Sequence, residues 1–503
     1  MKATELVIVW TVIAFILYKF GNVTFAKYRQ RSKARRLRCG PIPVYTPGDP
    51  FGIYSFYETM KAASESRFPE CLVQRVNDVS KRENRPITTF WNTTGGGSSI
   101  FTCDPRNIQA VLATQFKEFE LGELRNASFR PMLGHGIFAS NGKKWEHSRA
   151  MLRPQFSRDQ INDLNLEEKH VINMIKALQI DSEGWTAAVD LKPFFFRLTI
   201  DAATEFLFGE SVMSQLGEAV SNDIPNKSLL GRRENRFSSA FDKAQYDIFR
   251  SGRMGRMYRL GHTSDLRKNV QEVHDFVDYY VERYVFLNAI AEETQNPIEL
   301  RDALLNILLA GRDTTASLLS WVMIVLSQNE AIFDRLRQTV LLEFGTYDNP
   351  REITFQKLKN CVYLQWTLKE TLRLYAVVPI NQRAATIDTT IPVGGGPDGE
   401  APVFVPKGTE VYYSVHVMHR SKELWGDDAD VFRPERWLGK KYGWDYLPSN
   451  GGPRICLDQQ FALTEAGYVV VRLLQRFDKV TAAQENKKTG YRMTLTCAPT
   501  ETP

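Results

Sequence analysis

The chain has 503 residues and a mass of 57.6 kDa, long enough for one large catalytic domain or two to three smaller ones. Its apolar, charged and aromatic fractions are those of a folded globular protein, which excludes a disordered or fibrous chain. The formal charge of +6 is concentrated in seven lysines and arginines, with no acid, between Lys27 and Arg38, so the body is near neutral and offers no nucleic-acid surface.

Leu6 to Ala26 is mostly apolar and about one bilayer crossing long, although Lys19 and Asn22 weaken its second half. The basic run follows this stretch rather than preceding it, which favours a retained transmembrane anchor over residues 1–26 with the body in the cytosol. A cleaved signal peptide is the rival reading, because Thr24-x-Ala26 has the pattern of a cleavage site. Residues 27–43 form a basic juxtamembrane stretch ending in Cys-Gly-Pro-Ile-Pro, a stiff hinge because both prolines fix φ. Residues 44–503 are the body. The six cysteines have no paired spacing, so neither a zinc site nor a thioredoxin-like motif is indicated, and a cytosolic body would keep them reduced.

PITTFWNTTGGGSSIFTCDP, ending at Pro105, reads as two strands around a glycine turn, followed by a helix that Asp104 caps and Pro105 opens. IPVGGGPDGEAPVFVPKGTEVYYSV, from Ile391 to Val415, reads as further strands. Neither glycine triplet follows a strand and opens a helix, so a phosphate loop is not indicated. Most of Gln160 to Val340, and Phe355 to Tyr375, has helical periodicity, with a surface loop over Ser221 to Phe237. The expected architecture is mainly α with a minor β portion split between the ends.

Leu304 to Leu326 is apolar enough to span a membrane, but Arg312 and Asp313 would then sit near the bilayer centre. A core helix is the better reading. Its midpoint, Gly-Arg-Asp-Thr-Thr, has two explanations. Thr314 bonds back to the carbonyl one turn earlier beside a satisfied Arg312–Asp313 pair, or the helix opens locally and presents a hydroxyl and a carboxylate to a small ligand.

Four further patterns follow the same chain. Trp145 and Arg149 stand at i and i+4, a donor pair or a cation–π stack. Glu370 and Arg373 stand at i and i+3 on one helix face, and Arg436 lies in FRPERW, in a loop. GGPRICLDQQF, Gly451 to Phe461, places Cys456 between a glycine-rich bend and a helix start. In this order and spacing, WxxxR, AGRDTT, ExxR, FRPERW and GGPRIC resemble the cytochrome P450 family over nearly the whole chain. GIFASNGKKWEHSRAMLRPQFSRDQI and NGGPRICLDQQFALTEA are most similar to the fungal enzymes that hydroxylate n-alkanes and fatty acids.

The resemblance implies the P450 fold behind a single N-terminal anchor helix, with haem b (iron protoporphyrin IX) as cofactor. It makes Cys456 the thiolate ligand of the haem iron, which favours O–O cleavage. It assigns the haem carboxylates to Trp145, Arg149, Arg383 and Arg454, and gives Glu370, Arg373 and Arg436 an ion-pair network that locks the cysteine loop. Gly451 and Gly452 would turn backbone N–H groups towards the sulfur. Ala310 and Gly311 would leave room for dioxygen, while Asp313 and Thr314 would deliver protons. The implied partners are NADPH–cytochrome P450 reductase, O2, a lipophilic small molecule and the endoplasmic-reticulum membrane, crossed once with the catalytic domain cytosolic.

Two positions depart from the family pattern. Ser449 stands seven residues before the cysteine where an aromatic residue is usual. Asp458 stands two residues after it in place of glycine, an acid that suits a helix N-terminus but whose charge would disfavour electrons at the thiolate and weaken haem retention. The stretch VDYYVERYVFLNAIAEE before the apolar helix and the C-terminal TCAPTETP also look short. The expected activity is insertion of one oxygen atom from O2 into a C–H bond of a fatty acid or n-alkane. The alternatives are the same chemistry on a fungal specialised metabolite, rearrangement of a peroxide, or a degenerate membrane-bound haem protein.

Overall fold

The computed structural model of the chain describes residues 3–156, 164–215, 229–283, 294–482 and 489–501. At its centre runs a 31-residue helix, Pro297–Ser327. The Asn296 side chain caps it by accepting the N–H groups of Ile298 and Glu299, and Pro297 occupies the position where a missing N–H costs nothing. Its residues are apolar on nearly every face, so the helix must be covered all round. Helices Asn165–Ala177, Leu191–Phe208, Glu330–Phe344, Val362–Leu374 and Gln459–Arg476 share one core with Leu319, Val322 and Leu326 of its second half. Helices Leu229–Arg253 and Ser264–Arg283 cover its first half, where Phe237 stacks on Phe276 at 4.0 Å in the core that holds Leu304 and Leu308. Among the described residues it is the one helix long and apolar enough to cross a membrane, yet 83% of its apolar window is buried in protein. It is a core helix.

The β portion is small, as the strand patterns suggest. Strands β1 (Thr89–Thr94) and β2 (Gly97–Thr102) form a hairpin whose turn places Gly95 and Gly96 at φ 56 and 77. Asp104 then accepts the N–H of Arg106 ahead of a helix opened by Pro105. The hairpin joins β3 (Phe119–Glu120), β4 (Asn381–Ala385) and β7 (Glu410–Tyr413) in the order β1-β2-β7-β4-β3, with β2 and β7 parallel and the other pairs antiparallel. β5 (Thr389–Gly395) pairs with β6 (Ala401–Val405), and β8 (Tyr491–Met493) with β9 (Cys497–Pro499).

Three segments singled out in the sequence take definite form. The apolar and basic runs near the N-terminus share one helix, Ala3–Arg36, with no break at residue 26, and Lys33 on it pairs with Asp388. The Cys39–Pro43 segment is docked: Gly40 N–H donates to Pro402 O at 2.8 Å and Gly396 N–H to Pro41 O at 2.9 Å. A Cβ on Gly40 would lie 2.2 Å from the Gly396 nitrogen, so only glycine permits that approach. Helix Leu229–Arg253 contains the second half of the expected Ser221–Phe237 loop; residues 216–228 lie outside the described residues, as do 284–293 of the stretch that looks short.

Candidate active site

The segment before helix Gln459–Arg476 folds as a tight loop. Asn450 and Gly452 have φ of 63 and 69, Gly452–Arg454 makes one 3-10 turn, and Cys456 N–H closes the loop on Ser449 O at 3.0 Å. A Cβ on Gly452 would stand 1.9 Å from the carbonyl oxygen of Leu112, so this glycine serves close approach as well as backbone freedom. Trp444 packs against Gly451, so an aromatic ring reaches the loop although position 449 is serine. We expect Gly452→Ala to displace the loop and lower stability by about 1–3 kcal/mol or more, as thermal unfolding would register.

Cys456 faces a cavity of about 130 Å³. Ile307 and Ala310 of the central helix line it, as do Trp145, Arg149, Arg383 and Arg454. Arg125, from helix Glu123–Leu133, joins them although no sequence pattern singles it out. Arg454 lies over the Trp145 ring at 4.3 Å, nearer than Arg149 at 5.9 Å, and donates to Ser140 O at 3.0 Å. Arg125 and Arg383 both reach Asn381 Oδ1, at 3.2 and 3.3 Å. Among the described residues none of the four arginines forms an ion pair, and the Nε atoms of Arg125 and Arg383 are buried without partners. Burial and the neighbouring Arg383 pull Arg125 down to about 10; burial and the other arginines pull Arg454 to about 9. Four cations so arranged call for an anion.

The midpoint of the central helix is intact. Thr314 Oγ1 donates to Ala310 O at 2.6 Å, so the opening offered as one explanation of Gly-Arg-Asp-Thr-Thr is not formed. Arg312 Nη1 bonds Asp313 Oδ1 at 3.0 Å and also Asp242 Oδ1 at 2.8 Å. Asp313 is fully buried, and burial raises its carboxyl to about 6 against the pull of Arg312. It lines a second cavity, which shares no lining residue with the one at Cys456. The missing side chain of Gly311 faces Ala203 of helix Leu191–Phe208, 3.9 Å from where a Cβ would stand.

Glu370, Arg373 and Arg436 do converge. Arg373 binds both oxygens of Glu370, at 2.9 and 2.8 Å, and Arg436 Nε reaches Oε1 at 3.2 Å, all three side chains being buried. Trp437 Nε1 donates to Glu370 Oε2 at 3.2 Å, and Arg373 also donates to the carbonyls of His419 and Ala429. His419, which sequence reasoning missed, accepts the N–H of Leu447 through Nε2 at 3.0 Å and so ties the network to the chain entering the cysteine loop. Burial first, then Arg373, holds its imidazole near 3, so it stays a neutral acceptor.

The cytochrome P450 family profile matches residues 72–501. Cytochrome P450 monooxygenase g430 of a Fusarium species is 47% identical over 97% of this chain and 88% of its own. Cytochrome P450 monooxygenase alt2 of Alternaria solani is 40% identical over 99% and 96%, and cytochrome P450 52A13 of Debaryomyces hansenii is 44% identical over 88% and 86%. The chain belongs to the cytochrome P450 family. It is a haem-binding monooxygenase, an oxidoreductase that incorporates one oxygen atom.

The residues of this P450 fit haem: four arginines without an ion pair among the described residues suit two carboxylates, and one thiol stands in the same cavity. Burial, reinforced by the Asp458 carboxyl, pushes the Cys456 thiol up to about 12, while the Asp458 N–H and Arg149 oppose it. The thiol must therefore lose its proton as it takes a metal.

Asp458 differs from expectation. It holds the N-cap position of helix Gln459–Arg476, but its side chain makes no cap bond, and its buried Oδ1 has no partner. Burial pushes the carboxyl up to about 8, which lessens the charge it places beside the sulfur. Glu465 and Glu167 are buried close by, each raised by burial. The sign follows for Glu167, whose carboxyl moves from 4.5 to about 8. Its protonated form belongs to the folded chain, so stability is full below pH 4.5 and is lost as pH rises through 8. We expect Glu167→Gln to gain on the parent chain across that window, by the order of a few kcal/mol at its upper end, read from thermal unfolding at several pH values.

Proposed function

We propose that this P450 hydroxylates an unactivated C–H bond of a fatty acid or n-alkane, with electrons from NADPH through NADPH–cytochrome P450 reductase. One observation carries the reading: a thiol, four arginines and an apolar helix face meet in a single cavity. Bound haem supplies the activation of dioxygen. Cys456 holds its iron as thiolate; Trp145, Arg125, Arg149, Arg383 and Arg454 hold and orient its carboxylates. Ala310, with Ile307, offers an apolar wall on the substrate side, and Gly311 keeps that turn of the helix slender. Thr314 lies one turn beyond Ala310 on the same face, where its hydroxyl can leave the Ala310 carbonyl and donate towards the cavity. Asp313 holds the proton that Thr314 passes on. Glu370, Arg373 and Arg436 act at a distance, by fixing the loop that presents Cys456.

The substrate class rests on the resemblance to the alkane- and fatty-acid-hydroxylating enzymes and on the apolar cavity wall. An oily substrate and a membrane reductase both suit a domain held at the endoplasmic-reticulum membrane by residues 1–26, with the catalytic domain cytosolic. Purified enzyme, reconstituted with reductase and NADPH, would be given a fatty acid series, n-alkanes and terpenoid or polyketide compounds. Hydroxylated fatty acid or alkane is the expected product. Turnover of the specialised metabolites alone would transfer the substrate reading to them, and NADPH consumption without any product would contradict both.

A further inference from the structure

The second cavity lies between helices Leu191–Phe208, Leu229–Arg253 and Pro297–Ser327 and the β8–β9 hairpin, and encloses about 230 Å³. Asp313 opens onto it on one side of the central helix, while Ile307 and Ala310 face the haem-side cavity on the other. We propose that protons reach Asp313 through this polar cavity, and that Asp242 is the positioning residue that keeps Asp313 able to carry them, by sharing the Arg312 donor with it. The inference rests on the proposed relay role of Asp313.

The geometry is a shared donor. A single nitrogen, Arg312 Nη1, serves Asp242 Oδ1 at 2.8 Å and Asp313 Oδ1 at 3.0 Å. Arg312 cannot drift towards either acid, because its guanidinium lies over the rings of Phe196 and Phe241, at 5.0 and 5.4 Å, and its carbonyl accepts from Thr199 Oγ1 at 2.9 Å. The two acids differ in access: the Asp242 side chain is 36% exposed and that of Asp313 is 2% exposed. A buried carboxyl given the whole of an adjacent guanidinium stays ionised and donates no proton; one that shares it with a second carboxylate is held less firmly in that form. Gln245, one turn beyond Asp242, is buried beside Asp313, where its amide can donate to the carboxylate. The other charged groups facing the cavity are Lys192 and Arg197 from helix Leu191–Phe208 and Arg492 from β8. Among the described residues lining the cavity, Asp242 is the other acid, and its charge opposes the ionised form of Asp313. This arrangement gives protons a polar route on the side of the central helix away from the apolar haem-side cavity.

The test uses the haem-loaded enzyme with reductase, NADPH and a fatty acid, and measures product and hydrogen peroxide per NADPH against pH. The infrared carboxyl band that Asp313→Asn removes is titrated alongside. Asp242→Asn is expected to lower the pH at which coupling fails by about one unit, to raise peroxide several-fold near neutrality, and to lower the midpoint of the carboxyl band by the same amount. Asp242→Glu should restore both. If Asp242→Asn changes haem content or melting temperature while both midpoints stay, Asp242 is a packing residue and the inference is overturned. If Asp313→Asn itself leaves coupling unchanged, it is the relay role of Asp313 that fails.

Discussion

Replacing Cys456 with alanine is expected to reduce NADPH-dependent product formation to background, a loss on the order of a thousandfold or more, while the fold survives. The side chain is small, and the loop around it is held by other groups: the Cys456 N–H bond to Ser449 O belongs to the backbone and Gly452 packs on Leu112 through main-chain atoms. What disappears is the cavity's one thiol. Of the five other cysteines, none lines this cavity, so none can take its place. Circular dichroism would show an unchanged helical signal; assay with reductase would show the loss. Retained turnover would remove Cys456 from the chemistry.

Glu370→Ala is expected to fail differently, by loss of stability and of haem. The carboxylate is the single acid between two buried arginines, so its removal leaves Arg373 and Arg436 with charge that Asp428 only partly offsets. Breaking such a pair costs about 3–5 kcal/mol. The damage would travel along named contacts: Arg373 to His419 O, and His419 to Leu447 N–H, five residues ahead of the tight Gly-Pro-Arg turn. Urea unfolding should show the stability loss, and haem assayed per mole of purified chain should fall well below the parent value. A stable, fully loaded variant would mean that the network does not hold the cysteine loop.

Much of this site is legible in the sequence because its parts are local. Trp145 and Arg149 share a helix turn, Glu370 and Arg373 share another, and Cys456 stands in a glycine bend whose conformation few other residues allow. Arg125 and His419 are not legible, because only the folding of the sheet against the helices brings them to the arginine cluster and the ion-pair network. The apolar helix could be told from a membrane span by its buried Arg312 and Asp313, but not how Arg312 divides its bonds, since Asp242 is 70 residues away in the chain. Asp458 shows the limit of a local rule: an acid at a helix start is normally a cap, yet here the side chain makes no cap bond and burial raises its carboxyl.

The central claim is that Cys456 binds haem iron as a thiolate. The most direct measurement is the difference spectrum of the dithionite-reduced full-length protein with and without carbon monoxide, taken in microsomes. The strongly red-shifted Soret band peculiar to thiolate-ligated haem is the expected result, absent in Cys456→Ala. A band at the shorter wavelength of a protonated or displaced thiol in the parent protein would contradict the claim.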